Sequence, residues 1–187
     1  VLVEECRNGD ADAFGELVTR YKDRIYNVAY RFLGNHEDAQ DVAQEVFVRA
    51  YHGIQGFKGR AKVYTWLYSI AGNLARNRLR DGSRKGRNMG TSLEALEVAA
   101  PGVAQTATSG GLTPEQVARG RELDAALQEC LEELPEHYRM TFVLRTFEQL
   151  SYEEIADAMG CTKGTVKSRL NQARSMLGEK LQERALI

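Results

Sequence analysis

Residues 153–170 read EEIADAMGCTKGTVKSRL, and the order of helix, break and helix in them constrains the whole C-terminal part of the chain. In the first half, Ile155, Ala156 and Met159 face inward at helical spacing, and the small Ala156 lets a second helix approach. Gly160 can adopt the positive φ that ends a helix, and Thr162 is suited to cap the next one. The inward face of this next helix consists of Val166, Leu170, Ala173 and Leu177. Two helices joined by so short a break predict a helix-turn-helix.

The outer side of the second predicted helix is suited to contact duplex DNA. It lacks acidic residues, whereas lysine, arginine, asparagine and glutamine recur along it. A helix fits the major groove, where Asn and Gln can pair with adenine and Lys or Arg with guanine or phosphate. An amphipathic hairpin with a solvated basic side is the alternative interpretation of the same pattern. The candidate duplex-binding residues are Thr162, Lys163, Thr165, Lys167, Ser168, Asn171, Gln172 and Arg174.

Charge alternates along the 187-residue chain, although its formal net charge is only −1. Residues 1–50 carry a net charge of −4, residues 51–90 of +8, residues 91–160 of −9 and residues 161–187 of +4. Two basic stretches in an otherwise acidic chain indicate two surfaces for a polyanion, because local charge sets where a phosphate backbone can dock. Solvated faces would explain one such stretch more easily than two.

The cysteines and histidines are few and scattered. Cys6, Cys130 and Cys161 form no C-x-x-C pair, so neither a disulfide framework nor a zinc site is predicted, and no cofactor is expected. No apolar run approaches the roughly 20 residues that span a bilayer, and no basic-then-apolar leader opens the chain. These features predict a reducing compartment, the cytoplasm, and no direct membrane insertion.

Three apolar stripes predict a helical bundle at the start of the chain. The first runs from Phe14 to Phe32 at steps of three and four residues and ends near Gly34. The second runs from Ala39 to Ala50, and the third runs from Val63 to Leu74 in a helix that reaches about Arg80. Helices with facing apolar stripes bury them against one another, so these three form a small bundle.

A second bundle is predicted after a linker. Residues 81–113 are rich in Gly, Ser, Thr and Ala, and their low hydrophobicity cannot offset the cost of ordering the backbone. Periodicity returns within residues 114–187, where Ser151 and Glu154 also match a capping box. The first apolar stripe of this second bundle consists of Leu123, Leu127, Cys130, Leu131 and Leu134. The predicted fold class is all-α, with two small helical bundles, residues 1–80 and 114–187, that a flexible linker holds at a distance from each other.

The first basic stretch has different chemistry from the helix-turn-helix. It combines an aromatic residue with cations, which single-stranded nucleic acid needs because bases stack and phosphates pair. Trp66 shares its stripe with Leu67 and is interpreted as core, whereas for Phe57 a core position and a base contact are equally compatible with the sequence. The candidate single-strand-binding residues are Phe57, Lys58, Gly59, Arg60, Lys62, Asn73, Arg76 and Arg80.

The second predicted helix carries a mixed face opposite its apolar stripe, formed by Asp41, Gln44, Glu45 and Val48. A face that only meets water does not need an apolar residue such as Val48, so one interpretation is that this face contacts a helix of a partner protein. The other interpretation is a plain solvated face. An enzyme acting on nucleic acid would need a carboxylate cluster or an activated nucleophile near the basic surface. Residues 51–90 contain only Asp81 as an acid, and no catalytic residue or metal ligand is predicted.

Five segments occur in a specific order: GDADAFGELVTRY, DAQDVAQEVFVRAY, FKGRAKVYTWLYSIAGNLARNRLR, LEELPEHYRMTFVLR and LSYEEIADAMGCTKGTVKSRLNQARSML. Together they resemble the extracytoplasmic-function (ECF) sigma factors of bacterial RNA polymerase, and they cover nearly the whole chain apart from the linker. The resemblance implies that the first bundle is a sigma-2 domain, which holds the core polymerase and opens the minus-ten promoter element. It implies that the second is a sigma-4 domain, which reads the minus-thirty-five element as duplex.

The resemblance also implies roles for individual residues. Asp41, Gln44 and Glu45 fall in the family's polymerase-binding helix, which packs on a coiled coil of the largest subunit. Residues 57–62 align with the segment that captures a flipped minus-ten base, and Asn73 aligns with a residue that lines that pocket. Lys167, Ser168, Asn171 and Gln172 align with the groove-reading positions of sigma-4.

The predicted function is a promoter-specificity factor without catalytic activity of its own. Its partners would be bacterial core RNA polymerase, promoter DNA as duplex and as melted single strand, and, by resemblance, an anti-sigma factor that holds the two domains closed. A stand-alone helix-turn-helix transcriptional regulator is the alternative. That alternative leaves the basic aromatic segment at residues 57–62 without a role.

Overall fold

The computed structural model describes residues 1–86 and 113–184, and over these residues every regular element is a helix. Residues 87–112, most of the predicted linker, lie outside the described residues. Helix α4 ends six residues beyond the predicted Arg80. The helices are α1 (Leu2–Arg7), α2 (Ala11–Leu33), α3 (His36–Gly53), α4 (Val63–Gly86), α5 (Pro114–Glu132), α6 (Glu136–Thr146), α7 (Tyr152–Met159) and α8 (Lys163–Glu183), with a 3-10 turn at Ile54–Gly56.

The predicted helix ends are confirmed by their capping geometry. Gly34 ends α2 with a φ of 75°, and Gly160 ends α7 with a φ of 61°, both in the left-handed region that glycine adopts without steric cost. Ser151 and Glu154 form the reciprocal capping box at the start of α7, and the Thr162 side chain accepts from a backbone N–H of α8. Local sequence therefore determines where these helices begin and end.

The first module consists of α1 to α4. Helices α2, α3 and α4 pack on one another through the predicted stripes, and Leu17, Phe32, Val46 and Leu67 are fully buried. Helix α1 was not predicted; it is one short segment whose Cys6 is buried against the bundle. Tyr68 is 1 % exposed, so it belongs to the core and not to a nucleic-acid surface.

The second module consists of α5 to α8. The inward face of α8 is buried as predicted, as are Ile155 and Ala156 of α7, whereas Met159 is half-buried. Cys130, Leu131 and Leu134 of the α5 segment pack against Ala173 and Leu177 of α8. The stripe predicted for α5 is wrong at its first position, because Leu123 is 51 % exposed. The first half of α5 is exposed on every side, and no other helix of the described residues covers it.

The two modules are in direct contact, so the expectation that the linker holds them at a distance is wrong. Helix α4 packs on α7, and α2 packs on α5 and α6. One apolar cluster continues across the boundary, with Leu67 and Ala71 from the first module and Met140 and Ile155 from the second. Helices α6 and α7 carry apolar residues that their own small bundle cannot cover, and the first module buries them.

A buried arginine of α6 ties the second module to the end of α2. The Arg139 guanidinium donates from Nη1 to the Phe32 carbonyl oxygen at 2.5 Å and from Nη2 to the Leu134 carbonyl oxygen at 3.1 Å, and it also donates to the Glu132 carbonyl. Arg139 is only 7 % exposed, and burial lowers its pKa below the ordinary value. Because carbonyls in the last turn of a helix lack intrahelical partners, Arg139 satisfies one for α2.

Candidate nucleic-acid interfaces

The outer face of α8 is open to solvent. Of the candidate duplex-binding residues, Thr165 is half-buried and the others are exposed: Thr162, Lys163, Lys167, Ser168, Asn171, Gln172 and Arg174. Thr162 is held by its cap, in which Oγ1 accepts from the Thr165 N–H at 3.2 Å. Lys163 forms an ion pair with Glu153 of α7. The structure therefore brings the predicted residues together on one exposed helical face of the size that enters a major groove.

Arg169 is a basic residue of α8 that the sequence did not single out. It is half-buried, and its guanidinium lies 3.8 Å from the Cys161 sulfur at the turn between α7 and α8. Its position on the edge of the helix, between the buried and exposed faces, explains why periodicity did not classify it. It supports the turn rather than the exposed face.

Residues 57–62, hereafter the basic loop, connect the 3-10 turn to α4. Phe57 is half-buried against Trp66, with ring centroids 5.0 Å apart, while Lys58 and Arg60 are exposed. Gly59 has a φ of 67°, so the loop makes a turn there that other residues would adopt only with strain. Phe57 thus packs on the core through Trp66 and still borders the open side of the loop.

A cavity of about 270 Å³ lies between the basic loop, the start of α4 and α7. Phe57, Lys58 and Arg60 line it from the loop, and Asp157 lines it from α7. Thr65 also lines it; the residue is 1 % exposed, and its Oγ1 has no hydrogen-bond partner in the part of the chain that the structure describes. Thr65 was not predicted from the sequence, in which it is a hydroxyl residue among the aromatics of YTWLY.

Helix α7 covers one side of the basic loop through Glu154. The Lys62 ammonium donates to Glu154 Oε1 at 3.0 Å, and the Tyr64 hydroxyl donates to the same oxygen. The hydrogen bond from Tyr64, with those from the Ser151 backbone and Lys62, lowers the pKa of Glu154 to about 2. From the sequence Glu154 was predicted only as a capping residue, because no local pattern shows that its second carboxylate oxygen faces another module.

Glu148, another carboxylate of the second module, binds the first module. Glu148 accepts from Arg24 Nε at 2.8 Å and from the Tyr68 hydroxyl, and its side chain is only 6 % exposed. Burial, and then the Glu148 charge, raise the pKa of Tyr68 above its ordinary value. Glu148 is therefore a buried acceptor that joins the second module to α2 and α4.

Polar residues on α4 form a third basic site. The Arg76 guanidinium donates from Nε to the Gly72 carbonyl oxygen at 3.0 Å and from Nη2 to Asn73 Oδ1 at 2.6 Å. Asn73, Arg76 and Arg80 line one cavity of about 400 Å³, which Glu136 at the start of α6 also borders. The structure thus groups these three predicted residues on one side of α4, apart from the cavity beside the basic loop.

The mixed face of α3 borders a groove of about 560 Å³ between α3 and α4, which Asp41, Gln44, Glu45 and Val48 all line. Val48 is 46 % exposed, although it is apolar. Arg78 of α4 donates to Asp41 Oδ2 at 2.7 Å, and Arg49 donates to Glu45 Oε1 at 2.8 Å. These two arginines were not identified from the sequence. The groove is a shallow surface of apolar and paired charged groups.

Two family models match the chain: Sigma-70 region 2 over residues 17–85 and Sigma-70, region 4 over residues 124–177. Among curated proteins, the chain is 38 % identical to the RNA polymerase sigma-H factor of Pseudomonas aeruginosa over 181 residues, which cover 97 % of this chain and 92 % of that protein. It is 35 % identical to the ECF RNA polymerase sigma factor SigW of Bacillus subtilis, covering 97 % and 95 %. It is 38 % identical to the ECF RNA polymerase sigma-E factor of Escherichia coli, covering 97 % and 93 %.

Two solved structures have the same fold at 24 % identity. One is CnrH in complex with the cytosolic domain of CnrY, with a TM-score of 0.68 over 97 % of this chain and 96 % of that chain. The other is the sigma factor RpoE in complex with the anti-sigma factor NepR from Bartonella quintana, with a TM-score of 0.69 over 90 % and 96 %. In residues 1–86 and 113–184, no helix is both long and apolar enough to cross a bilayer.

Proposed function

The chain belongs to the ECF sigma factors, the promoter-specificity subunits of bacterial RNA polymerase, and we propose that its two modules bind the two promoter elements through the surfaces described above. It directs the polymerase to promoters and is not itself an enzyme. The first domain, residues 1–80, would bind core polymerase and the minus-ten element. The second, residues 114–187, would bind the minus-thirty-five element, with residues 81–113 as the linker.

The minus-thirty-five element would be read by α8 as intact duplex. Its exposed face carries Asn171 and Gln172, which can pair with adenine, and Lys167, which can pair with guanine or phosphate. Thr162 and Lys163 lie at the capped start of α8, and helix N-termini are suited to approach phosphates. The observation that supports this role is that residues 162–174 contain no acid and that all of the proposed contacts except the half-buried Thr165 are exposed.

The minus-ten element would be bound by the first module as melted single strand. Phe57, Lys58 and Arg60 combine an aromatic ring with two exposed cations beside a cavity of about 270 Å³. An extruded base costs a few kcal/mol of lost stacking, and a preformed cavity bordered by an aromatic ring and two cations can return it. Asn73, Arg76 and Arg80 would continue the basic track along α4.

Core polymerase would dock on the α3 face. An exposed valine within paired charges is typical of a surface that a partner helix covers, because the valine then leaves water. Asp41, Gln44, Glu45 and Val48 are the proposed contacts. The partners also include an anti-sigma factor, in line with the solved complexes of the same fold. We place the protein in the cytoplasm, where its polymerase partner works.

In vitro transcription tests this function. The chain is mixed with bacterial core polymerase and a supercoiled promoter library, and the transcript 5′ ends are sequenced. We expect initiation from discrete start sites that share two sequence elements. Lys58→Ala and Arg60→Ala should lower initiation at every site, whereas Lys22→Ala, an exposed lysine of α2 outside these surfaces, should not. Random initiation would contradict the proposal, and tight operator binding without polymerase would favour a stand-alone regulator.

A further inference from the structure

The two nucleic-acid surfaces differ in how far they are covered. The outer face of α8 is open, but one side of the basic loop is occupied by α7 of the same chain. We propose that the acidic face of α7, Glu154 and Asp157, competes with single-stranded DNA for the basic loop, so that the closed chain blocks its own minus-ten surface. This inference rests on the proposed role of the basic loop in single-strand binding.

Glu154 takes the place that a phosphate would need. Its Oε1 accepts from the Lys62 ammonium at 3.0 Å and from the Tyr64 hydroxyl, which are two donors suited to a phosphate oxygen. Glu154 and the two donors lie about 90 residues apart in the chain, so only module docking brings them together. A phosphate that accepts from the Tyr64 hydroxyl must displace this carboxylate, because the hydroxyl has one hydrogen to donate, and Glu154 also neutralises the charge that Lys62 offers to the strand.

Asp157 borders the cavity itself. It lies three residues after Glu154, and residues at this spacing share one side of a helix. It is exposed, and it lines the same cavity as Phe57 and Arg60. Because its carboxylate stands at the edge of the proposed base pocket, it adds electrostatic repulsion against a phosphate beside the entering base.

Glu148 keeps α7 in this place. It lies in the loop between α6 and α7, and its buried carboxylate accepts from Arg24 and Tyr68 of the first module. The charge pattern agrees with this docking, since residues 51–90 carry a net charge of +8 and residues 114–160 of the second module, with 11 acidic and 4 basic side chains, carry −7. The acidic second module therefore fits the same basic surface as a nucleic acid does, and module separation would release it.

The test compares two double variants of the full chain that change net charge equally. Glu154→Gln with Asp157→Asn removes the acids that face the loop, and Gln at position 154 keeps the capping box. Glu115→Gln with Glu122→Gln is the control, because both are exposed acids of α5 in the second module, and α5 does not line the cavity beside the basic loop. Two readouts are used: fluorescence anisotropy of labelled oligo(dT) of about 12 nucleotides, and the spin-label distance between Lys22→Cys and Ser175→Cys in a Cys161→Ser background.

We expect the loop-facing variant to bind oligo(dT) more tightly by about 2- to 5-fold, the factor for losing one exposed ion pair, and to shift the distance distribution to longer values. The control should match the wild type in both readouts. Equal tightening in both variants would overturn the proposal, since overall charge would then explain it. Unchanged binding in the loop-facing variant also overturns it, and Lys58→Ala separates the causes. If Lys58→Ala still weakens oligo(dT) binding, the single-strand site stands and only the competition fails; if it does not, the proposed role of the loop fails as well.

Discussion

Replacing Arg139 tests whether a buried guanidinium joins the two modules. Its three carbonyl acceptors belong to Phe32 of the first module and to Glu132 and Leu134 of the second. In Arg139→Met the side chain keeps most of its apolar contacts, but all three acceptors lose their donor. A hydrogen bond to a charged group contributes about 1.5–3 kcal/mol net, and a buried acceptor left unpaired costs about 1–3 kcal/mol.

These costs overlap, and the Arg139 charge no longer has to be buried, so we expect Arg139→Met to lower the free energy of unfolding by about 3 kcal/mol. For a chain of this size the corresponding fall in melting temperature is about 6–12 °C. Arg139→Lys should lose about half as much, because one ammonium group can reach only part of the three acceptors. Urea titration followed by circular dichroism, together with thermal melts, gives both values.

The matched control is Arg20→Met, which removes an exposed arginine of α2. Arg20 pairs with Glu16 at 2.7 Å, and both side chains are more than half exposed. Such a pair contributes at most about 1 kcal/mol, so the control should stay close to the wild type. If Arg139→Met were no less stable than Arg20→Met, Arg139 would not be a structural link between the modules.

Three further predictions concern the lysines of α8, Thr65 and Glu154. Lys163→Ala and Lys167→Ala should each lower the salt slope of duplex binding by about 0.9; an unchanged slope in a filter-binding series would remove that lysine from the interface. Thr65→Val should raise the free energy of unfolding by up to about 1 kcal/mol in urea, because it replaces a buried hydroxyl that has no partner among the described residues; a clear loss would reveal a bound water or an undetected acceptor. The pKa of Glu154 is lowered from 4.5 to about 2, so its contribution to the free energy of unfolding is full above about pH 4.5 and is lost as the pH falls toward 2. In Glu154→Gln the free energy of unfolding should therefore fall less steeply between pH 4.5 and pH 2 than in the wild type, and an equally steep fall would contradict the pKa shift.

Charge gave a partial indication of the docked arrangement. A stretch of +8 and a stretch of −9 in one chain are complementary, but the sequence alone allows the basic stretch to face either DNA or the acidic module. The prediction that the two modules lie apart assumed that the basic stretch faces DNA and not the acidic module. It failed because the apolar residues of α6 and α7 needed a larger surface to cover them than α5 and α8 provide.

The sequence by itself determined the helices, their caps and the faces they present. These depend on residues three or four positions apart, and Gly34, Ser151 and Gly160 act within a single turn. Hence the exposed face of α8 and the mixed face of α3 could be predicted residue by residue.

Only the tertiary structure decided which of these faces meet. The contacts of Lys62 with Glu154, Arg24 with Glu148 and Arg139 with Phe32 join residues 92, 124 and 107 positions apart. No local periodicity encodes such pairs, because they depend on how two finished bundles pack. The physical reason is that a carboxylate or guanidinium takes its role from the partner that burial brings to it.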